Sequence, residues 1–213
     1  MKTDDLIGLL STGVAPVTSS SATRRLGLSL PVAAIGAAAL MAAIFGIRPD
    51  LGTVAKTAIF WEKLALPLCL AIGSLIATER LARPGAKVGA GWPIMTIPVS
   101  MVWFAAILVL VAAGPQDRLP AILGHSWRSC PFNISLLAVP GFVATFLAVK
   151  GLAPTRLRLA GAASGLLASS IATVAYCFHC PEMSPAFWSI WYVAGMLLPA
   201  AIGAALGPAL LRW

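Results

Sequence analysis

Six apolar runs, near 26–47, 58–78, 92–113, 131–149, 159–178 and 187–211, take up most of this chain. They approach the roughly 20 residues that a helix needs to cross a hydrocarbon core ~30 Å thick. Lipid offers no hydrogen-bond partners, so each run must satisfy its own backbone groups, which a helix does. The runs therefore predict an all-α, polytopic transmembrane bundle of six helices. Hydrophobic residues make up 59% of the chain and charged residues 10%, against ~25% charged in a soluble domain. The run 58–78 carries Glu62 and Lys63 near its start. Both are expected at the membrane interface, with Lys63 snorkelling toward water.

The net charge of +8 raises the question of nucleic acid. The basic residues, however, cluster at the ends of the apolar runs, as they do in membrane proteins, and no basic stripe with interleaved aromatics is present. Direct contact with nucleic acid is therefore not expected. One side of the membrane collects Lys2, Arg24, Arg25, Arg80, Arg83, Lys87, Lys150, Arg156, Arg158 and Arg212. The other receives Arg48, Lys56, Lys63, Arg118 and Arg128. The richer side is cytoplasmic by the positive-inside rule, so both termini are expected inside. The loops near 48–57, 114–130 and 179–186 then face outward. The first run begins only after residue 25 and is long enough to remain as a span, so it is expected to stay as an anchor.

Residues 1–25 read as a separate polar segment, and 26–213 as the membrane domain. Within the segment Thr3, Asp4 and Asp5 suit a helix N-terminus. Leu6, Ile7, Leu9, Leu10 and Val14 fall on one arc at helical spacing. Pro16 ends the pattern, and Thr18–Thr23 reads as a flexible linker. In the membrane domain Gly161 with Gly165, and Gly203 with Gly207, form GxxxG pairs. Small residues at this spacing let helix backbones approach closely. Packing inside one chain is the preferred reading over a dimer face.

Cysteine carries the chemistry. Cys69 and Cys177 lie inside apolar runs and are expected to act as small hydrophobes. Cys130 opens the fourth run and Cys180 closes the fifth, so both are expected at the outer surface. An oxidising compartment would permit a disulfide there. Exposed thiols would alternatively react with oxidants or soft metals. With His179 and Glu182 nearby, Cys130 and Cys180 offer donors for a heavy-metal or zinc ion, although the spacing matches no standard zinc motif. These readings stay open. No phosphate loop, HExxH, GxSxG or carboxylate deep in a run is present, so no catalytic residue is assigned. Phe187, Trp188, Trp191 and Tyr192 read as an interfacial aromatic belt.

The segment Tyr176-Cys177-Phe178-His179-Cys180-Pro181-Glu182, followed by Phe187 and Trp191-Tyr192, resembles the C-terminal signature of NrsF-type membrane anti-sigma factors. Cys130, Ile134 and Pro140, the closing Leu211-Arg212-Trp213, and the opening Thr3-x-x-Leu6-Ile7-x-x-Leu10 with Pro16-Val17 are similar to that family as well. The resemblance covers essentially the whole chain, with the middle spans matching in hydropathy alone. It implies a bacterial inner-membrane protein that holds an extracytoplasmic-function sigma factor inactive. The N-terminal segment, with Leu6, Ile7 and Leu10, is then expected to contact the sigma factor. Cys130 and Cys180 are expected to be the periplasmic thiols that answer oxidant or heavy-metal stress. Pro131 directly after Cys130, and the additional Cys177, depart from the family pattern.

Two other functions compete. A membrane thiol–disulfide oxidoreductase would use a CxxC pair, and Cys177-x-x-Cys180 has that spacing, though Cys177 should lie about one helical turn deeper. A small-solute transporter would want ionisable groups or broken helices at the midplane. The prolines could break helices, but no charge is expected beside them.

Overall fold

The computed structural model describes residues 3–12, 21–83 and 85–212, and among these the regular structure is entirely helical. Val14, Pro16 and the first part of the expected linker lie outside the described residues, as do Lys2 and Trp213. Helix α1 spans Thr3–Ser11, with Asp4 and Asp5 in its first turn. Helix α2 (Ser21–Leu40) continues through a π-helical turn at Met41–Phe45. Residues 21–23 are thus helical rather than linker, and the first span starts earlier than its hydropathy indicated. The chain then forms α3 (Leu51–Val54), α4 (Ala58–Leu81), α5 (Gly91–Ala112) and α6 (Pro115–Leu123). It continues through α7 (Cys130–Leu137), α8 (Val139–Lys150) and α9 (Leu157–Tyr176). A short α10 (Pro185–Phe187) runs through a second π-helical turn, Trp188–Tyr192, into α11 (Val193–Leu210).

Five of these helical stretches are long and apolar enough to cross a membrane: Ala22–Phe45, Ala58–Leu81, Gly91–Ala112, Leu157–Tyr176 and Pro185–Leu210. The expected fourth span is a bent pair. Its halves, α7 and α8, meet at 47°, and the bend falls just before Pro140, whose ring lacks an N–H and crowds the carbonyl four residues earlier, which favours a kink there. Counting the pair as one span gives six.

The outside of the bundle is apolar. Leu28, Val32 and Ile35 of α2 are exposed, as are Trp103, Phe104, Ile107, Leu108 and Val111 of α5. Polar side chains lie inside instead. Ser74, Thr78, Thr145, Ser164, Ser169 and Thr173 are fully buried, and each donates to a carbonyl four residues earlier in its own helix. Such back-bonding satisfies a hydroxyl where no water reaches. This distribution suits a lipid solvent.

Helix α9 is the axis, with the most buried of the candidate spans. Its glycines meet α11 backbone to backbone. A β-carbon at Gly161 would collide with the Gly203 carbonyl, one at Gly165 with the Pro199 carbonyl, and one at Gly207 with the Leu157 carbonyl. The two GxxxG pairs therefore interlock within one chain. On the other side of the bundle Gly36 of α2 gives room to Pro140, and Gly141 of α8 to Ala33.

Two buried clusters divide the bundle along its length. One gathers Leu26 near the start of α2, Leu81 at the end of α4, Val88, Val149 near the end of α8, and Leu211. Thr23 donates to Glu79 at 2.8 Å at that same end. The entry to α2 and the exit from α11 thus share one end. The second cluster, at the opposite end, contains Cys130, Cys177 and Cys180.

Candidate functional site

Three loops meet at the cysteine end. After α2, Gly46 takes φ +74°, a left-handed conformation suited to glycine. The chain then runs against the residues that follow α9. Arg48 N–H donates to the Phe178 carbonyl at 3.1 Å, and His179 Nδ1 bonds the Gly46 carbonyl at 3.0 Å. The third loop holds α6, a short helix that hydropathy alone did not reveal. It begins with Pro115 and ends at Gly124, again with positive φ. Glu182 closes over this turn. Its Oε1 accepts from His125 N–H at 2.7 Å and from Ser126 N–H at 3.2 Å. Trp191 Nε1 donates to the Ile122 carbonyl at 2.9 Å, and Trp188 Nε1 to the Glu182 carbonyl at 3.1 Å.

The aromatic residues here form a core rather than a belt. Phe187, Trp188 and Tyr192 are fully buried: they share one cluster with residues of α7 and α9, and α5 and α6 pack against the short helix that carries Phe187. Tyr176 packs among them, 6.1 Å from Tyr192 between ring centroids, and its hydroxyl accepts from Asn133 Nδ2 at 3.3 Å.

Within this core lie the thiols. Cys130, Cys177 and Cys180 all have zero exposure, so the expectation of Cys130 and Cys180 at the solvent surface does not hold. Trp127, Phe178 and Trp191 pack against their cluster, and Arg48 and Lys63 close on the Cys180 carbonyl, which covers ends that helix length alone would leave open. The structure brings Cys130, Cys180 and also Cys177 into one buried cluster, and all four cysteines of the chain are free thiols. Cys69 lies apart on α4 and is partly exposed.

Sequence reasoning missed the group that accompanies the thiols. Lys63 does not snorkel; it is 0% exposed. Its Nζ donates to the Cys180 carbonyl at 2.6 Å and stands 5.6 Å from the Tyr192 ring centroid. Arg48 donates to the same carbonyl at 3.2 Å. A charge inside a span that faces the bundle was the available signal, obscured because Lys63 lies within two turns of the helix start. Arg48 also binds both oxygens of Asp50, each at 2.7 Å. That bond holds the Asp50 carboxyl below its ordinary range and raises the Arg48 guanidinium.

The donor set Cys130, Cys180, His179 and Glu182 does not converge on a common point. Among the described residues no group of three or more His, Cys, Asp or Glu is placed to hold a metal ion. His179 is engaged by Gly46 and Glu182 by the turn at 125–126. Leu6, Ile7 and Leu10, on α1, are exposed and take no part in this end of the molecule.

Apolar outward-facing helices around a core that also holds back-bonded hydroxyls, with buried free thiols beside a buried lysine, define a multi-pass helical membrane protein that carries a closed cysteine site. Residues 10–213 match the family described as NrsF, negative regulator of sigma F, and the chain belongs to that family. It is 46% identical over 213 residues to the probable anti-sigma-F factor NrsF of Azospira oryzae, covering all of both chains. It is 36% identical over 217 residues to the anti-sigma-F factor NrsF of Caulobacter vibrioides, again covering all of both. No solved structure matches it.

Proposed function

We propose that this protein is an anti-sigma factor of the bacterial inner membrane, which sequesters an extracytoplasmic-function sigma factor through residues 1–25. It releases that factor when oxidant or heavy metal reacts with Cys130 and Cys180 in the periplasm. The protein acts by binding rather than by catalysis. The observation that carries this reading is α1, a nine-residue helix with no buried residue. It leaves Leu6, Ile7, Leu9 and Leu10 exposed, although they could form one apolar face. The names of the two relatives supply the kind of partner such a face would grip.

Co-purification of the full-length protein with the sigma factor tests this. Leu6→Asp or Leu10→Asp places a carboxylate in the apolar contact, at a cost of several kcal/mol when no partner answers it. Each is expected to abolish capture while membrane insertion stays intact. Wild-type capture by both variants would remove α1 from the interface.

The proposed orientation has both termini in the cytoplasm, on the strength of the basic-residue asymmetry. A reporter active only outside the cytoplasm is expected to be active when fused after Pro181. It should be silent after Arg83 or Arg156. The opposite pattern would move the thiols to the cytoplasmic side.

A further inference from the structure

Of the candidate spans α5 is the least buried. It packs along α4 and, at the cysteine end, against the short α10. A β-carbon at Gly73 of α4 would collide with Met95 of α5, so these two helices touch closely. Between α5 on one side and α9 with α11 on the other lies a groove of about 450 Å³. Its back wall is α4, which packs against both α5 and α9. The lining is apolar apart from Thr96 and Ser100. Both hydroxyls are bonded to carbonyls of their own helix, at 3.0 and 2.9 Å. Such walls suit hydrocarbon and match a polar ligand poorly.

Length and charge narrow the occupant. On α4 the lining runs from Leu70 to Leu81, about 16 Å at 1.5 Å per residue. One leaflet of hydrocarbon is about 15 Å deep, half of the ~30 Å core. A spanning helix from a second copy would need a groove about twice as long, whereas a single acyl chain fits. Leu81, Val88, Trp92 and Leu159 surround the mouth, at the end where α2 enters. Lys87 adjoins Val88 and Arg158 adjoins Leu159, and both are exposed. Among the described residues the one carboxylate of the membrane domain at this end is Glu79, which Thr23 and Arg83 already hold. Trp92, at the start of α5, is exposed beside the mouth, and tryptophan concentrates at the headgroup level. We propose that this groove binds one anionic phospholipid, with an acyl chain between α5 and the α9–α11 pair and its phosphate between Lys87 and Arg158. Basic pockets between membrane helices are where acidic headgroups settle. Such a site is independent of any hold on a sigma factor and of which way round the chain is inserted.

Native mass spectrometry of the full-length, delipidated protein in detergent tests this, with titration by dioleoyl phosphatidylglycerol or dioleoyl phosphatidylethanolamine. The two lipids share their acyl chains and differ in net charge. Wild-type protein is expected to take one phosphatidylglycerol at least about fivefold more tightly than phosphatidylethanolamine, since one basic residue near a lipid surface is worth about that factor. The double variant Lys87→Gln with Arg158→Gln should lose about fivefold in phosphatidylglycerol affinity for each charge removed and keep its phosphatidylethanolamine affinity. Ala162→Phe puts a ring into the groove and should remove the tight binding event. Ile35→Phe, on the exposed face of α2, should leave it unchanged. Equal affinity of the wild-type protein for the two lipids overturns the proposal, as does unchanged phosphatidylglycerol binding by a folded Ala162→Phe protein. Should Ala162→Phe fail to fold, the charge variant decides, and undiminished phosphatidylglycerol affinity there overturns the proposal. A lipid-free dimer that Ala162→Phe splits into monomers would assign the groove to a second copy of the chain instead.

Discussion

Replacing Gly161 by valine is expected to leave the bundle unable to close. A β-carbon at this position already meets the carbonyl of Gly203, and behind it lie the Gly203 carbonyl carbon and the α-carbon of Gly207. These are backbone atoms in the middle of α11, so no side chain can rotate away. Overpacking a core typically costs ~1–3 kcal/mol when side chains can shift. Here two helices must separate, and the cost should exceed that range. Separation would also break the bond from Ser169 to the Met196 carbonyl, 2.9 Å long and fully buried. The expected result is loss of monodisperse, folded protein in detergent. Gly27→Val serves as the comparison. Gly27 is helical too, but a β-carbon there meets nothing within 4 Å. It should be recovered at wild-type yield with an unchanged melting temperature. Normal folding of Gly161→Val would mean that α9 and α11 do not pack as described.

The double variant Cys130→Ser with Cys180→Ser is expected to abolish release of the sigma factor under oxidant or heavy-metal stress while leaving it held at rest. Both thiols lie in the cluster where α7, α9 and the start of the α10–α11 helix meet. A new bond or a bound soft ion there would have to be accommodated among side chains that are fully buried. Only a change that favours one arrangement of the bundle over another can shift the hold on a partner. Each single variant should blunt the response, and Cys69→Ser should not alter it, because Cys69 stands outside the cluster. Reporter transcription from the partner's promoters, with and without stress, measures this. A full response in the double variant would end the sensing role of these thiols.

The spans were legible because lipid imposes a length and a composition on every segment that crosses it. The interlocked glycines were legible for a related reason, since close helix contact in lipid leaves a four-residue signature. What escaped the sequence was whatever depends on covering by distant parts of the chain. Lys63 sits near the start of α4, where a snorkelling lysine would also sit. Its burial follows from the Cys180 carbonyl and the Tyr192 ring, which come from other helices. Phe187, Trp188 and Tyr192 have the composition of an interfacial belt. They are internal because a lid of α6 and Glu182 lies over them. That lid is too short and too polar to register as an apolar run, and only Pro115 and Gly124 marked its ends. Cys130 and Cys180 stand at helix ends, for which hydropathy predicts exposure, and are buried because Trp127, Phe178 and Trp191, from distant parts of the chain, pack over their cluster.

The wide turns at Met41–Phe45 and Trp188–Tyr192 set a rule for which length changes this chain can absorb. Each is an α-helix holding one residue more than its regular repeat. In a regular α-helix one residue turns the following side chains by about a quarter circle or slightly more. Removing a single residue from 188–192 would let the wide turn close into a regular α-helix, with Phe187 and Trp188 still on the side of Met196 and Pro199. The regular turns of α11 have no such slack: losing one residue there would swing the two rings around the axis relative to Gly203 and Gly207, out of the thiol cluster. The extra residue is the play in the gear, the one place where the aromatic end and the glycine end of this helix can absorb a change of length and stay aimed at the same neighbour.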